Sequence, residues 1–233
     1  MSKTSDKIIV ALDAPTFEEA EKLTQKLAGV LRHFKIGMAL YTQSGPDVVK
    51  MVHDQGGQVF LDLKFHDIPS TVSRAVEEAA KLGVWMCNVH ASGGLTMMQE
   101  AKKAAAGSGM SVIAVTVLTS LENLSELGIT ATPAEQVVRL ASLTQRAGLD
   151  GVVCSPLEIR SIREACGKDF RIVTPGVRPV DAGTQDQKRV ATPAKALQDG
   201  ADYLVIGRPI THAPDPASAA QQIAQSVGTG YVL

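Results

Sequence analysis

Short apolar runs alternate with amphipathic stretches eight times along this chain, and no other feature limits its fold as strongly. The strand-like runs are residues 8–13, 34–37, 59–64, 86–90, 112–118, 151–154, 171–175 and 203–207. Helical stretches follow near 16–28, 45–55, 70–82, 94–106, 133–147, 156–165, 193–199 and 216–226, each opening near Ser, Thr, Asp or Pro. Eight β-then-α units in 233 residues, with no Pro/Gly/Ser-rich linker between them, predict one α/β domain over residues 1–233, a closed (β/α)8 or TIM barrel. A doubly wound open sheet is the alternative. It would carry a glycine fingerprint after its first strand, and IIVALDAPTFEEA has no G-x-G-x-x-G.

Composition narrows the function classes. A formal net charge of −1 lacks the basic excess that nucleic acid or an anionic membrane surface requires, so neither partner is expected. Three scattered cysteines, Cys87, Cys154 and Cys166, form no CxxC pair and support neither a disulfide framework nor a zinc site. The N-terminus is polar, and no apolar stretch approaches the ~20 residues of a membrane span. A cytoplasmic location is expected.

The stretch VFLDLKFHDIPS, residues 59–70, begins as a buried strand and then places Asp62, Lys64, His66 and Asp67 within six residues. Side chains alternate across a strand, so Phe60, Asp62 and Lys64 share one face and Leu61 and Leu63 the other. Leu61 and Leu63 suit an outer face packed on helices, which turns Asp62 and Lys64 inward at the C-terminal mouth. The same reading brings Asp13 from the first strand and Lys35 from the second to that mouth. Two carboxylates and two ammonium groups neutralise one another there only by interdigitating, because an unpaired buried charge costs several kcal/mol. An ion-pair cap of purely structural use is the bland alternative. Three consecutive strand ends on the face where barrel enzymes keep their chemistry favour function. His66 and His90 read as hydrogen-bonded structural histidines, and Asp67, ahead of Ile-Pro, reads by itself as a helix N-cap.

The eighth strand ends in Gly207-Arg208, and the loop after the seventh, TPGVRPVDAGTQDQKR, contributes Arg178 and Gln187. Barrels frequently hold phosphate with these two loops, glycine admitting backbone N–H groups and arginine supplying a forked donor. An ordinary polar surface loop is the alternative. Two connections, 119–132 and 176–192, are longer than the rest and are lid candidates. The implied ligand is a small phosphorylated molecule whose reacting centre lies near the lysines. No P-loop and no serine or thiol nucleophile signature accompanies it.

These motifs in order, with VALD, FKIG, DLKFHDIPST, VLTS, TPGVRP and VIGRPI, closely resemble the orotidine 5′-phosphate decarboxylase family of the bacterial type, from about Lys7 to the last helix. The D-x-K-x-x-D element is shared with a wider superfamily; its combination with TPGVRP and VIGRP is far more specific. The resemblance implies a homodimeric enzyme without metal or cofactor that converts orotidine 5′-monophosphate to uridine 5′-monophosphate and CO₂, the last step of de novo UMP synthesis. It implies that Lys64 protonates C6 of the pyrimidine, that Asp62 lies against the departing carboxylate, and that Asp13 and Lys35 bind ribose hydroxyls and complete the charge array. It further implies that Asp67, Ile68 and Thr71 reach into the partner subunit's site, displacing the capping reading of Asp67. Thr119, or its neighbour Ser120, would contact the base, and Arg178, Gln187, Gly207 and Arg208 the phosphate. A superfamily relative that uses Mg²⁺ to stabilise an enediolate from a sugar phosphate is the enzymatic rival, and a catalytically silent phosphate-binding barrel is the non-enzymatic one.

Overall fold

A computed structural model describes residues 4–178 and 191–229. Eight parallel strands, β1 (Ile8–Ala11), β2 (His33–Gly37), β3 (Gln58–Phe65), β4 (Met86–His90), β5 (Ser111–Val115), β6 (Gly151–Val153), β7 (Arg171–Thr174) and β8 (Tyr203–Ile206), pair in sequence order, and β8 returns to β1. The barrel is closed, as the alternation predicts, and no sheet edge remains among the described residues.

Around it run α1 (Phe17–Leu27), α2 (Met38–Ser44), α3 (Asp47–Asp54), α4 (Pro69–Lys81), α5 (Gly94–Ala104), α6 (Pro133–Arg146), α7 (Ile159–Cys166), α8 (Pro193–Gln198), α9 (Arg208–Thr211) and α10 (Pro216–Thr229). Several starts are set by local chemistry. The Thr16 hydroxyl accepts from Glu19 N–H at 3.2 Å, and Thr192 caps α8 in the same way. Thr132 and Glu135 satisfy each other's backbone N–H groups in a capping box, with Pro133 at the first helical position.

Two apolar cores follow from strand alternation. Leu61, Cys87, Val112, Val152 and Leu204 face outward against the helices. Ile9, Ala11, Phe60, Met86, Ile113, Val173 and Val205 fill the interior. Gly151 is required by this closeness: a Cβ there would lie 2.2 Å from the Arg171 carbonyl oxygen on β7.

The structure corrects several boundaries. The first strand stops at Ala11 rather than residue 13, and the fifth at Val115 rather than 118, so Asp13 and Thr119 sit on the loops that follow. The sequence reading passed over α2, whose only buried residue is Leu40 and which therefore shows little apolar periodicity. The stretch 156–165 divides into a 3₁₀ turn, Pro156–Glu158, and α7. The connection after β5 has structure of its own, the 3₁₀ turn Ser125–Leu127, and is tied to the outer core by buried Leu124. Of the connection after β7, residues 179–190 lie outside the described residues. The backbone at its two ends is joined by Arg178 N–H donating to the Ala191 carbonyl at 3.0 Å.

Candidate active site

The register puts Ala11, Lys35 and Phe60 side by side across β1, β2 and β3, with Gly37 beside Asp62 two residues nearer the mouth. Lys35 therefore starts level with the top of the inner apolar core and extends toward the strand ends. Its Nζ lies 3.3 Å from Asp13 Oδ1 and 3.4 Å from Asp62 Oδ2, while Lys64 Nζ lies 2.7 Å from Asp62 Oδ1. The four charges interdigitate in the order Asp13, Lys35, Asp62, Lys64, as the sequence predicts. Lys35 and Asp62 are only 12% and 13% exposed at the side chain, whereas Asp13 is 69% exposed, so the array runs from half-dry to wet. Gly37 leaves the room for this, since a Cβ there would lie 3.2 Å from Lys35 Nζ.

Simple alternation does not account for Lys64. Leu61 pairs with Cys87 and Phe65 with Val89, so four steps along β3 face two along β4. Lys64 takes up this bulge with a φ of 52°, the one positive φ at a non-glycine position among the described residues. A left-handed L-residue costs about 1–2 kcal/mol. The carboxamide of Asn88 sits opposite: its Oδ1 accepts from the Lys64 backbone N–H at 2.8 Å, and its Nδ2 donates to Asp62 Oδ1 at 2.7 Å. The sequence reading missed Asn88. The signal available was a polar residue in the apolar run MCNVH, at an inward position between outward Cys87 and Val89.

The arginine end lies across the mouth. A cavity of about 430 Å³ is lined by Gly176, Arg178, Gly207, Arg208 and His212 together with Asp13 and Lys35. A second, of about 460 Å³, is lined by Asp62, Lys64, Gly37 and Met38 and shares Asp13 and Lys35 with the first. One continuous mouth thus joins the arginines to Lys64, and the Asp13–Lys35 pair occupies its middle. Gln187 lies outside the described residues.

Other expected residues are not in this mouth within one chain. Asp67 is exposed, and its carboxylate accepts from the adjacent Ile68 N–H at 2.5 Å. The N-cap of α4 is Ile68, without a side-chain cap, so the capping reading of Asp67 fails: Pro69 at the first helical position fixes the entry instead. Ile68 is 64% exposed and Thr71 half-buried. Thr119 is half-buried and Ser120 exposed in the turn after β5, and neither lines the two cavities.

His66 and His90 stack at 5.3 Å between ring centroids, and the Ser92 hydroxyl hydrogen-bonds His90 Nδ1 at 2.8 Å. Burial, with His66 and Lys64 nearby, holds the His90 imidazole below its ordinary value. The partnered ring fits the structural reading of His90. Burial pushes the Cys87 thiol up to about 12 and raises Cys154 and Cys166 as well, so none of the three is a ready thiolate nucleophile. No group of three or more His, Cys, Asp or Glu among the described residues is arranged to hold a metal ion. No helix among them is long and apolar enough to cross a membrane.

The fold and this mouth define a class, the (β/α)8-barrel enzymes that work at the C-terminal ends of their strands. Residues 6–223 match the model of the orotidine 5′-phosphate decarboxylase / HUMPS family, and the chain belongs to that family. It is 55% identical over 228 residues to the orotidine 5′-phosphate decarboxylase of Pasteurella multocida (strain Pm70), covering 96% of this chain and 98% of that one. It is 54% identical over 229 residues to the protein of the same name from Haemophilus influenzae (strain PittEE), covering 96% and 100%. Among solved structures, the orotidine 5′-phosphate decarboxylase of Lactobacillus acidophilus superimposes with a TM-score of 0.85 at 40% identity over 95% of this chain and 99% of that one. An uncharacterized conserved protein from Geobacillus kaustophilus gives 0.83 at 41%, over 94% and 99%.

Proposed function

We infer that this chain decarboxylates orotidine 5′-monophosphate to uridine 5′-monophosphate and CO₂ in pyrimidine biosynthesis, working in the cytoplasm as a single-domain barrel paired in a homodimer. Family membership supports the reaction. The observation that carries the residue assignments is the continuous mouth, with arginines at one end, Asp13 and Lys35 in the middle and the Asp62–Lys64 pair at the other. A nucleoside monophosphate has the same order of parts: phosphate, ribose, base.

In this reading Arg178, Gln187, Gly207 and Arg208 grip the phosphate, Asp13 and Lys35 hold the ribose hydroxyls, and Thr119 or Ser120 meets the base. The C6–carboxyl bond breaks, CO₂ leaves, and its electron pair stays on C6 in an sp² orbital that the ring π system cannot absorb. Lys64 answers both needs. Its ammonium stabilises the carbanion as charge develops and then gives C6 the proton. A donor fixed by Asp62 at 2.7 Å costs little reorganisation when the bond breaks. Carbanion stabilisation, rather than repulsion between Asp62 and the substrate carboxylate, supplies most of the rate in this account. The phosphate grip lies far from C6, and its binding energy serves to orient the base against Lys64.

Asp67, Ile68 and Thr71 act across the dimer. Ile68, 64% exposed beside the exposed Asp67, gives that face an apolar group for a second copy to cover. The test is the ultraviolet absorbance change on adding orotidine 5′-monophosphate, with and without EDTA. Turnover insensitive to EDTA is expected. Absence of turnover contradicts the substrate, and turnover abolished by EDTA contradicts the metal-free chemistry and favours the Mg²⁺-dependent relatives.

A further inference from the structure

The bulge at Lys64 needs a partner that the sheet does not supply. Four residue steps on β3 run against two on β4, so the Lys64 backbone N–H has lost its regular place in the ladder. Its hydrogen bond goes to the side chain of Asn88, a residue with no solvent exposure. The other end of the same carboxamide donates to Asp62 Oδ1, the oxygen that also receives Lys64 Nζ. One amide thus ties together the backbone of the lysine and the carboxylate that orients its ammonium. The inward-facing side chains Ile9, Phe60, Met86 and Ile113 are apolar and carry no substitute hydrogen-bonding group.

We propose that Asn88 is the positioning residue of this site: its amide sets the left-handed Lys64 backbone and the Asp62 carboxylate in one fixed geometry, and so aims the Lys64 ammonium at the reacting carbon. This rests on the decarboxylase reading for its rate consequence only; the geometric part stands without it. Asn88 does not touch substrate in this account. It acts through Asp62 and Lys64.

Two variants separate positioning from simple support of the fold. Asn88→Ala removes both hydrogen bonds; kcat is expected to fall about 100-fold with little change in KM, because the phosphate and ribose grips are untouched. Asn88→Asp keeps the shape and the acceptor for the Lys64 N–H but replaces the donor to Asp62. When that new carboxyl is protonated it donates to Asp62 as the amide did; when ionised it repels Asp62. The ratio of variant to parental kcat should therefore rise as pH is lowered, which a merely structural role does not produce.

A folded Asn88→Ala protein with kcat within about threefold of the parent, or an Asn88→Asp ratio flat with pH, overturns the proposal. Hydrogen exchange of the Lys64 amide gives a readout independent of turnover: fast exchange is expected in Asn88→Ala and slow exchange in Asn88→Asp. Equal protection of that amide in parent and Asn88→Ala also overturns it. If the parent itself did not turn over orotidine 5′-monophosphate, the functional reading would fall, and the exchange experiment would still decide whether Asn88 holds the bulge.

Discussion

Lys64 and Asp62 are two residues apart on β3, and the ammonium of the first lies 2.7 Å from Oδ1 of the second. Same-face neighbours on a regular strand stand side by side with their heads apart. Here the bulge turns the Lys64 backbone to φ 52° and brings the heads together. Asp62 then accepts from Lys64 and Asn88 on one oxygen and faces Lys35 on the other, so its carboxylate has little freedom left.

In the proposed mechanism Lys64→Ala removes both the charge that stabilises the carbanion and the proton that quenches it. Turnover of orotidine 5′-monophosphate is expected to fall by at least about 10³-fold. Circular dichroism should report an intact barrel, because Asp62 keeps Lys35 and Asn88 as partners. Appreciable decarboxylation by the folded variant contradicts the assignment.

Asp67 is tested by mixing subunits. Lys64→Ala and Asp67→Ala proteins are each expected to be inactive, yet under the proposed shared-site homodimer a random mixture of exchanged subunits would hold half heterodimers, each with one intact site. About a quarter of parental activity should return. No recovery, with subunit exchange demonstrated by mass spectrometry, excludes Asp67 from the partner's site.

At the opposite end of the barrel His33 is buried, its Nε2–H donates to Gln58 Oε1 at 3.1 Å, and its ring packs at a tilt against Trp85 with centroids 4.2 Å apart. Burial lowers its basicity, outweighing the Gln58 contact and the charge of Asp6 that favour the proton. The folded value lies below the unfolded one, so the unfolded chain takes up the proton first as pH falls. The stability is full above about pH 6.5 and is lost as pH falls through the lower folded value. Calorimetry should find a lower melting temperature at about pH 5.5 than at about pH 7.5, with a smaller drop in His33→Phe. An equal drop in both proteins contradicts this account.

Gly151→Ala tests the closure between β6 and β7. A methyl group 2.2 Å from the Arg171 carbonyl oxygen and 2.6 Å from its Cβ forces backbone to move. The expected loss is about 1–3 kcal/mol, read as a lower urea midpoint. An unchanged midpoint means that the strands part at no cost, contrary to the packing seen.

The chain's own local chemistry was enough for the barrel and for most of the mouth. Period-2 alternation put Leu61 outward and Asp62 inward, and four ionisable residues near the ends of three successive strands had to interdigitate. Those inferences need only neighbours along the chain and the cost of an unpaired charge. What only the tertiary structure decided depends on register between strands. Asn88 meets Lys64 and Asp62 from 24 and 26 residues away, and nothing local to MCNVH states which β3 residues it will face. The left-handed Lys64 is the clearest case: a lysine has no intrinsic preference for that conformation, and it is held there by the bulge, the Asn88 amide and the Asp62 carboxylate. Asp67 fell to the same limit, since a residue that reads as a cap in DIPS is left exposed once Ile68 and Pro69 set the helix entry.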